Sequence, residues 1–88
     1  MSLDVFDVSG QKILITGAGR GIGKGVALAF AEAGADVAVS ALTETGVRQV
    51  VSEISAFGVK GLALTGDATT SADMDDIVAE TLKEFGQI

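Results

Sequence analysis

The sequence has no cysteine, histidine, tyrosine, tryptophan, proline or asparagine, and only four phenylalanines among its 88 residues. Without cysteine there is no disulfide framework and no thiol nucleophile; without histidine the usual imidazole base and zinc ligands are missing. No metal site is expected, and no tyrosine can act as a proton donor within this chain. Basic residues are also scarce, six Lys and Arg against twelve Asp and Glu, for a net charge of −6. That balance argues against nucleic acid and against anionic membranes as partners, since either would want a basic face. No apolar run is long enough to span a bilayer, and the N-terminus does not look like a secretion signal, so the cytoplasm is the expected location.

What is present points to a globular α/β chain. Hydrophobic residues make up 48% and charged residues 20%, which excludes a disordered or merely solvating segment. A chain of 88 residues forms one small domain, 1–88, and buries only about 60–65% of its unfolded surface. Its stability margin is correspondingly narrow.

The organising stretch is Lys12-Ile-Leu-Ile-Thr-Gly-Ala-Gly-Arg-Gly-Ile-Gly-Lys-Gly25. Ile13, Leu14 and Ile15 are apolar throughout, as in a strand covered on both faces. Beyond the glycines, Ile22, Val26, Ala29, Phe30 and Ala33 recur at helical spacing and define the expected inner face of a first helix, with Lys24 and Glu32 outward. Five glycines between positions 17 and 25 cost backbone entropy that a plain turn would not need. They allow positive φ and let an anion approach the main chain, where the first N–H groups of a helix face it. Neither Gly-x-Gly-x-x-Gly nor a P-loop fits, because Ile22 stands where the third glycine would fall, and Ala18 and Gly25 break the P-loop pattern.

Further along, Gly34 is placed to end the first helix, and Val37, Ala38 and Val39 form a second short strand. Thr43 opens a second helix with Val47, Val50, Val51 and Ile54 inward, and Gly58 ends it. Leu62, Ala63 and Leu64 form a third strand. A third helix follows Thr70, which has capping-box spacing to Asp73, with Met74, Ile77, Val78, Leu82 and Phe85 as its apolar stripe and Gly86 as its stop. Upstream, Phe6 and Val8 read as an extended lead-in. The result is β-α-β-α-β-α, a Rossmann-like half with a three-stranded parallel sheet of order 3-2-1 and three helices.

Thr16-Gly17-x-x-x-Gly21-x-Gly23, read with Gly19-Arg20-Gly21-Ile22-Gly23, resembles the cofactor signature of the short-chain dehydrogenase/reductase family. The resemblance runs from Phe6 to Ile88 and includes Gly66-Asp67 after the third strand. It implies hydride transfer between a nicotinamide and a carbonyl or alcohol. By that resemblance Gly17, Gly19, Arg20, Gly21, Ile22 and Gly23 hold the pyrophosphate and ribose, Ser40, Ala41 and Leu42 form the ribose rim, and Asp67 with Ala68 meets the adenine. The family's catalytic Asn, Ser, Tyr and Lys lie beyond the matching stretch, so no catalytic residue is assigned. The 88 residues are expected to be a cofactor-binding fragment, inactive alone and completed by a C-terminal half or another copy of the chain.

An acid at the end of the second strand would select NAD; here Ala41 and Leu42 stand in that region, and Arg20 lies in the turn. NADP is therefore preferred, with NAD as the alternative. Glu44 is near the right position but also suits a helix start, and Asp67 equally suits an Asx turn. Two other readings stay open: a stand-alone nucleotide-binding module, and a structural fragment that self-associates through its free sheet edge. S-adenosylmethionine binding, suggested by Gly17-x-Gly19-x-Gly21, lacks the acids that usually accompany it.

Overall fold

A computed structural model describes residues 9–17, 21–67 and 69–88. The expected lead-in at Phe6 and Val8 lies outside these residues, as do Ala18, Gly19, Arg20 and Ala68. The elements follow the sequence reading in order: β1 (Lys12–Thr16), α1 (Gly21–Glu32), β2 (Asp36–Ala41), α2 (Glu44–Ser55), β3 (Gly61–Thr65) and α3 (Ser71–Phe85). Both strand pairings are parallel, with β2 between β1 and β3. The register places Ile13 beside Val37 and Val37 beside Gly61, so the strands run level across the sheet.

Strand alternation sorts the side chains onto two faces. Ile13, Ile15, Val37, Val39 and Ala63 join Ala27 and Ala31 of α1 and Val47, Val50 and Ile54 of α2 in one core. Ala38 and Ser40 are buried on the opposite face. The third helix touches β3 and is absent from the first core, so it covers that second face through Ile77, Thr81 and Phe85.

Two helix faces differ from the periodicity. In α1 the buried residues are Ala27 and Ala31, whereas Ile22 is 88% and Val26 37% exposed. Gly21-Ile-Gly-Lys-Gly-Val-Ala-Leu-Ala-Phe-Ala-Glu32 is apolar on nearly every side, and alanines let α1 approach α2 and β2 closely. In α3 the inward residue is Thr81, and Leu82 is exposed. Thr81 satisfies its buried hydroxyl by donating to the Ile77 carbonyl at 2.7 Å, so burial leaves no polar orphan.

At the start of the sheet, Asp36 gathers all three strands. Its Oδ2 accepts from Lys12 Nζ at 2.5 Å, and its Oδ1 accepts from the Lys60 N–H at 2.8 Å. The Lys12 ammonium first, and the Lys60 amide second, hold the Asp36 carboxyl below its ordinary value of 3.8. A carboxylate with a depressed folded-state pKa stabilises the fold above its unfolded pKa and loses that contribution as pH falls. Asp36→Asn is expected to cost about 1.5 kcal/mol at neutral pH and to flatten the decline in stability below about pH 4. Urea titrations at pH 7 and pH 3 test this; equal destabilisation at both pH values would exclude the ionic role.

Candidate functional site

Parallel strands bring their C-terminal ends to one edge, and there the glycine turn meets the ends of β2 and β3. Thr16 registers with Ser40 and Ala41 with Thr65, and the Gly66 N–H extends the ladder to the Ala41 carbonyl at 3.0 Å. Gly17, Ala41 to Leu42 and Gly66 to Asp67 therefore form one rim, two strand spacings or about 10 Å across.

At its first position, Gly17 has φ +68° and Gly21, which opens α1, has φ +65°. Side chains other than glycine are disfavoured at both. Among the described residues, a Cβ built on either would meet nothing within 4 Å. Both positions are open on that side, at the edge where the strands end. Gly23 lies in the same first turn and is half-buried; Ile22 projects from it, exposed. Gly19 and Arg20, assigned to this turn from sequence, are outside the described residues.

The middle of the rim is apolar. Ala41 is half-buried and Leu42 is 75% exposed. Ser40 is 1% exposed, shares the inward face with Ala38, and its Oγ has no hydrogen-bond partner among the described residues. Its hydroxyl is thus turned under the sheet, and only its main chain reaches the rim. Thr43 precedes α2 as an extended N-cap whose side chain caps nothing. Glu44, the first residue of α2, is ion-paired with Arg48 one turn on.

The third position is a closed network. Asp67 Oδ1 accepts from the Thr69 N–H at 2.9 Å and from Thr69 Oγ1 at 2.6 Å, which is an Asx turn. These two bonds, the hydroxyl first, hold the Asp67 carboxyl below its ordinary value. Thr70 Oγ1 accepts from the Asp73 N–H at 3.3 Å, as a helix cap should. Asp73 does not complete a capping box, however, because its Oδ2 accepts instead from the Asp67 N–H at 2.7 Å. Gly66 lies beneath it, where a Cβ would stand 3.1 Å from Ile77 Cδ1 and require that side chain to shift. Ala68 falls outside the described residues.

Sequence reasoning offers an Asx turn at Asp67 and pairs Asp73 with Thr70, but it assigns neither Thr69 nor Asp73 as a partner of Asp67, nor Arg48 as the partner of Glu44. The signals were there: Asp-x-Thr is an Asx-turn spacing, and Glu44 with Arg48 is an i,i+4 pair. Strand parity with Ala38 would have turned Ser40 inward.

A parallel sheet of this order, with a glycine turn joining its first strand to its first helix, is the Rossmann-type doubly wound class. The family profile described as short chain dehydrogenase matches residues 11–88. The chain belongs to the short-chain dehydrogenase family. It is similar to a hydroxynaphthalene reductase-like protein of Metarhizium brunneum, 39% identical over 82 residues, which are 92% of this chain and 31% of that protein. Among solved structures it resembles a short-chain type dehydrogenase/reductase from Mycobacterium marinum, with a TM-score of 0.90 and 46% identity over 100% of this chain and 36% of that one. It also resembles a 7 alpha-hydroxysteroid dehydrogenase solved with NADH and 7-oxo glycochenodeoxycholic acid, with a TM-score of 0.90, 34% identity, and 93% of this chain and 32% of that one covered. The chain spans about a third of the length of the relatives it matches.

Proposed function

We propose that residues 1–88 are the NAD(P)-recognising part of a cytoplasmic short-chain dehydrogenase that interconverts a carbonyl and an alcohol. The observation that carries this is the pair Gly17 and Gly21, both at positive φ, with Gly17 following β1 at the edge where β2 and β3 also end. When bound, the nicotinamide supplies or takes up the hydride. In this reading the N–H groups around Gly17, Gly21, Ile22 and Gly23 hold the pyrophosphate, with Gly19 and Arg20 added by family resemblance alone. Main chain at Ser40 and side chains of Ala41 and Leu42 border the ribose. Asp67, pre-oriented by Thr69 and Asp73, meets the adenine beside Ala68. Proton transfer is assigned, by family resemblance alone, to the Asn, Ser, Tyr and Lys expected beyond the matching stretch. NADP is preferred over NAD, because neither Ala41 nor Leu42 is acidic and Glu44 is engaged by Arg48.

The partner that completes the unit is the remainder of such a fold or a second copy of this chain. Among the described residues β1 pairs on one side only, which leaves an apolar edge open to another strand. Sedimentation across a concentration series tests that association.

The site is tested by NMR titration of the chain with NADP and NAD, its concentration fixed by amino-acid analysis because it has no Trp or Tyr. Selective shifts at Gly17, Gly21, Gly23 and Asp67 are expected, larger with NADP and absent in Gly17→Val. A folded chain showing no shifts with millimolar dinucleotide would overturn the reading.

A further inference from the structure

Asp67 is held by both of its main-chain polar groups as well as by its side chain. Its N–H donates to Asp73 Oδ2 at 2.7 Å, and its carbonyl accepts from the Thr70 N–H at 3.0 Å and from Thr70 Oγ1 at 3.1 Å. Both bonds from Thr69 fall on one carboxylate oxygen, Oδ1. Five hydrogen bonds from residues 69 to 73 thus converge on one residue. Those from Thr69 and from Thr70 Oγ1 are exposed, where each replaces a bond to water and contributes little to stability. What they fix is a direction. The bond to Asp73 differs from them: it is partly buried, spans six residues and ties the loop to the body of α3. A carboxylate three residues into a helix ordinarily returns to the N-cap N–H. Here that N–H, on Thr70, already donates to the Asp67 carbonyl, and Asp73 turns to the Asp67 N–H instead.

We propose that Asp73 is a positioning residue for base selection: by holding the Asp67 N–H it fixes how the Asp67 carboxylate is presented, so that a purine with a 6-amino group is taken and one with a 6-oxo group refused. The proposal rests on the nucleotide reading of the site, in which Asp67 meets the base, and adds to it the group that keeps Asp67 in place. An ionised carboxylate only accepts hydrogen bonds. A 6-amino group donates to it, whereas a 6-oxo group brings a second acceptor and is repelled. The difference is largest when the carboxylate cannot swing aside, and swinging aside requires the main chain at Asp67 to turn. The Asp73 bond opposes that turn, and an acceptor already set in position loses less side-chain freedom when the base arrives.

The test uses 5'-AMP and 5'-IMP, which differ only in the 6-substituent and the N1 proton that accompanies it. They are titrated against the chain and against Asp73→Asn, Asp73→Glu and Asp73→Ala. Asparagine keeps an acceptor oxygen at the same reach, glutamate keeps the charge but carries its carboxylate one carbon further, and alanine keeps neither. The preference for 5'-AMP is expected to survive in Asp73→Asn and to fall about fivefold in Asp73→Glu and Asp73→Ala, with 5'-IMP binding unchanged. The Asn and Glu variants decide the matter between them even where Asp73→Ala weakens the fold. A preference that follows charge, kept by Glu and lost in Asn, overturns the proposal. So does a preference that no substitution moves, or an equal weakening of both nucleotides, which is the mark of a merely structural role. An unaltered chain that binds both nucleotides alike overturns the proposal and leaves the glycine turn as a phosphate site; one that binds neither overturns the nucleotide reading as well.

Discussion

Replacing Ile54 by alanine is expected to lower the unfolding free energy by about 3 kcal/mol. Ile54 is fully buried and is the bulkiest of the completely enclosed side chains. It stands in the last turn of α2 within the core formed with Val37, Val39, Val47 and Val50. Its Cγ2 would lie 3.2 Å from a Cβ at position 61, so Gly61 exists in the form that lets the helix sit this close to β3. Contact this tight leaves a cavity when three carbons are removed, because the strand beneath is held by its ladder and cannot follow. An 88-residue domain has a total stability of about 4–13 kcal/mol, so the loss is a large share of it. Urea unfolding should show a midpoint lowered by about 3 M with the slope unchanged, and Ile54→Val should cost about 1 kcal/mol. Since Ile54 lies at the starting ends of the strands, nucleotide binding by the folded fraction should be unaltered. A loss below 1 kcal/mol would mean that α2 is not fixed on the sheet by this side chain.

The order of elements and their pairing were readable because the physics that sets them is local. Three short apolar runs separated by two helical patterns leave a parallel sheet with neighbouring strands in sequence order as the natural arrangement, and that order is the one observed. Which face of a helix turns inward was readable only where polarity differed around it. The second helix has charged and polar residues opposite Val47, Val50 and Ile54, and it faces as expected. The first has no such contrast, and its facing was decided by how closely Ala27 and Ala31 allow it to approach its neighbours, a property of packing rather than of pattern. Thr81 was passed over because a hydroxyl counts as polar, yet its bond to Ile77 makes it fit for a core.

The same division runs through the site. Positive φ at Gly17 and Gly21 follows from residue type and position, so these two turn conformations were legible. The partners of Asp67, the inward turn of Ser40 and the engagement of Glu44 by Arg48 are relations between side chains. Spacing permits each of them, but only the folded geometry selects them.

A substitution in the connection from α1 to β2 should be almost as damaging as a cavity in the core. Gly34→Ala is expected to cost about 3 kcal/mol, from two separate sources. The first is conformational: Gly34 has φ +105°, beyond the left-handed region that other residues tolerate at modest cost. That angle is imposed by the end of α1, where the Gly34 N–H donates to the Ala31 carbonyl and the Ala35 N–H to the Phe30 carbonyl, both at 3.1 Å. These two bonds are a Schellman closure, and relaxing φ would break them. The second source is steric: a Cβ on Gly34 would stand 2.6 Å from Ser9 Oγ and 3.3 Å from Ser9 Cα. The hydroxyl can rotate aside, but the main chain at Ser9 must shift, and it leads directly into β1. A double-mutant cycle with Ser9→Ala isolates the Oγ part of the clash, since it subtracts whatever Ser9→Ala costs alone. About 1 kcal/mol of coupling is expected from the relieved Oγ contact, with the larger remainder belonging to the backbone angle and the Ser9 main chain together. Full recovery in the double variant would assign the whole penalty to the clash and deny the angle any role. Retention of wild-type stability by Gly34→Ala itself would mean that the connection leaves this conformation at no cost.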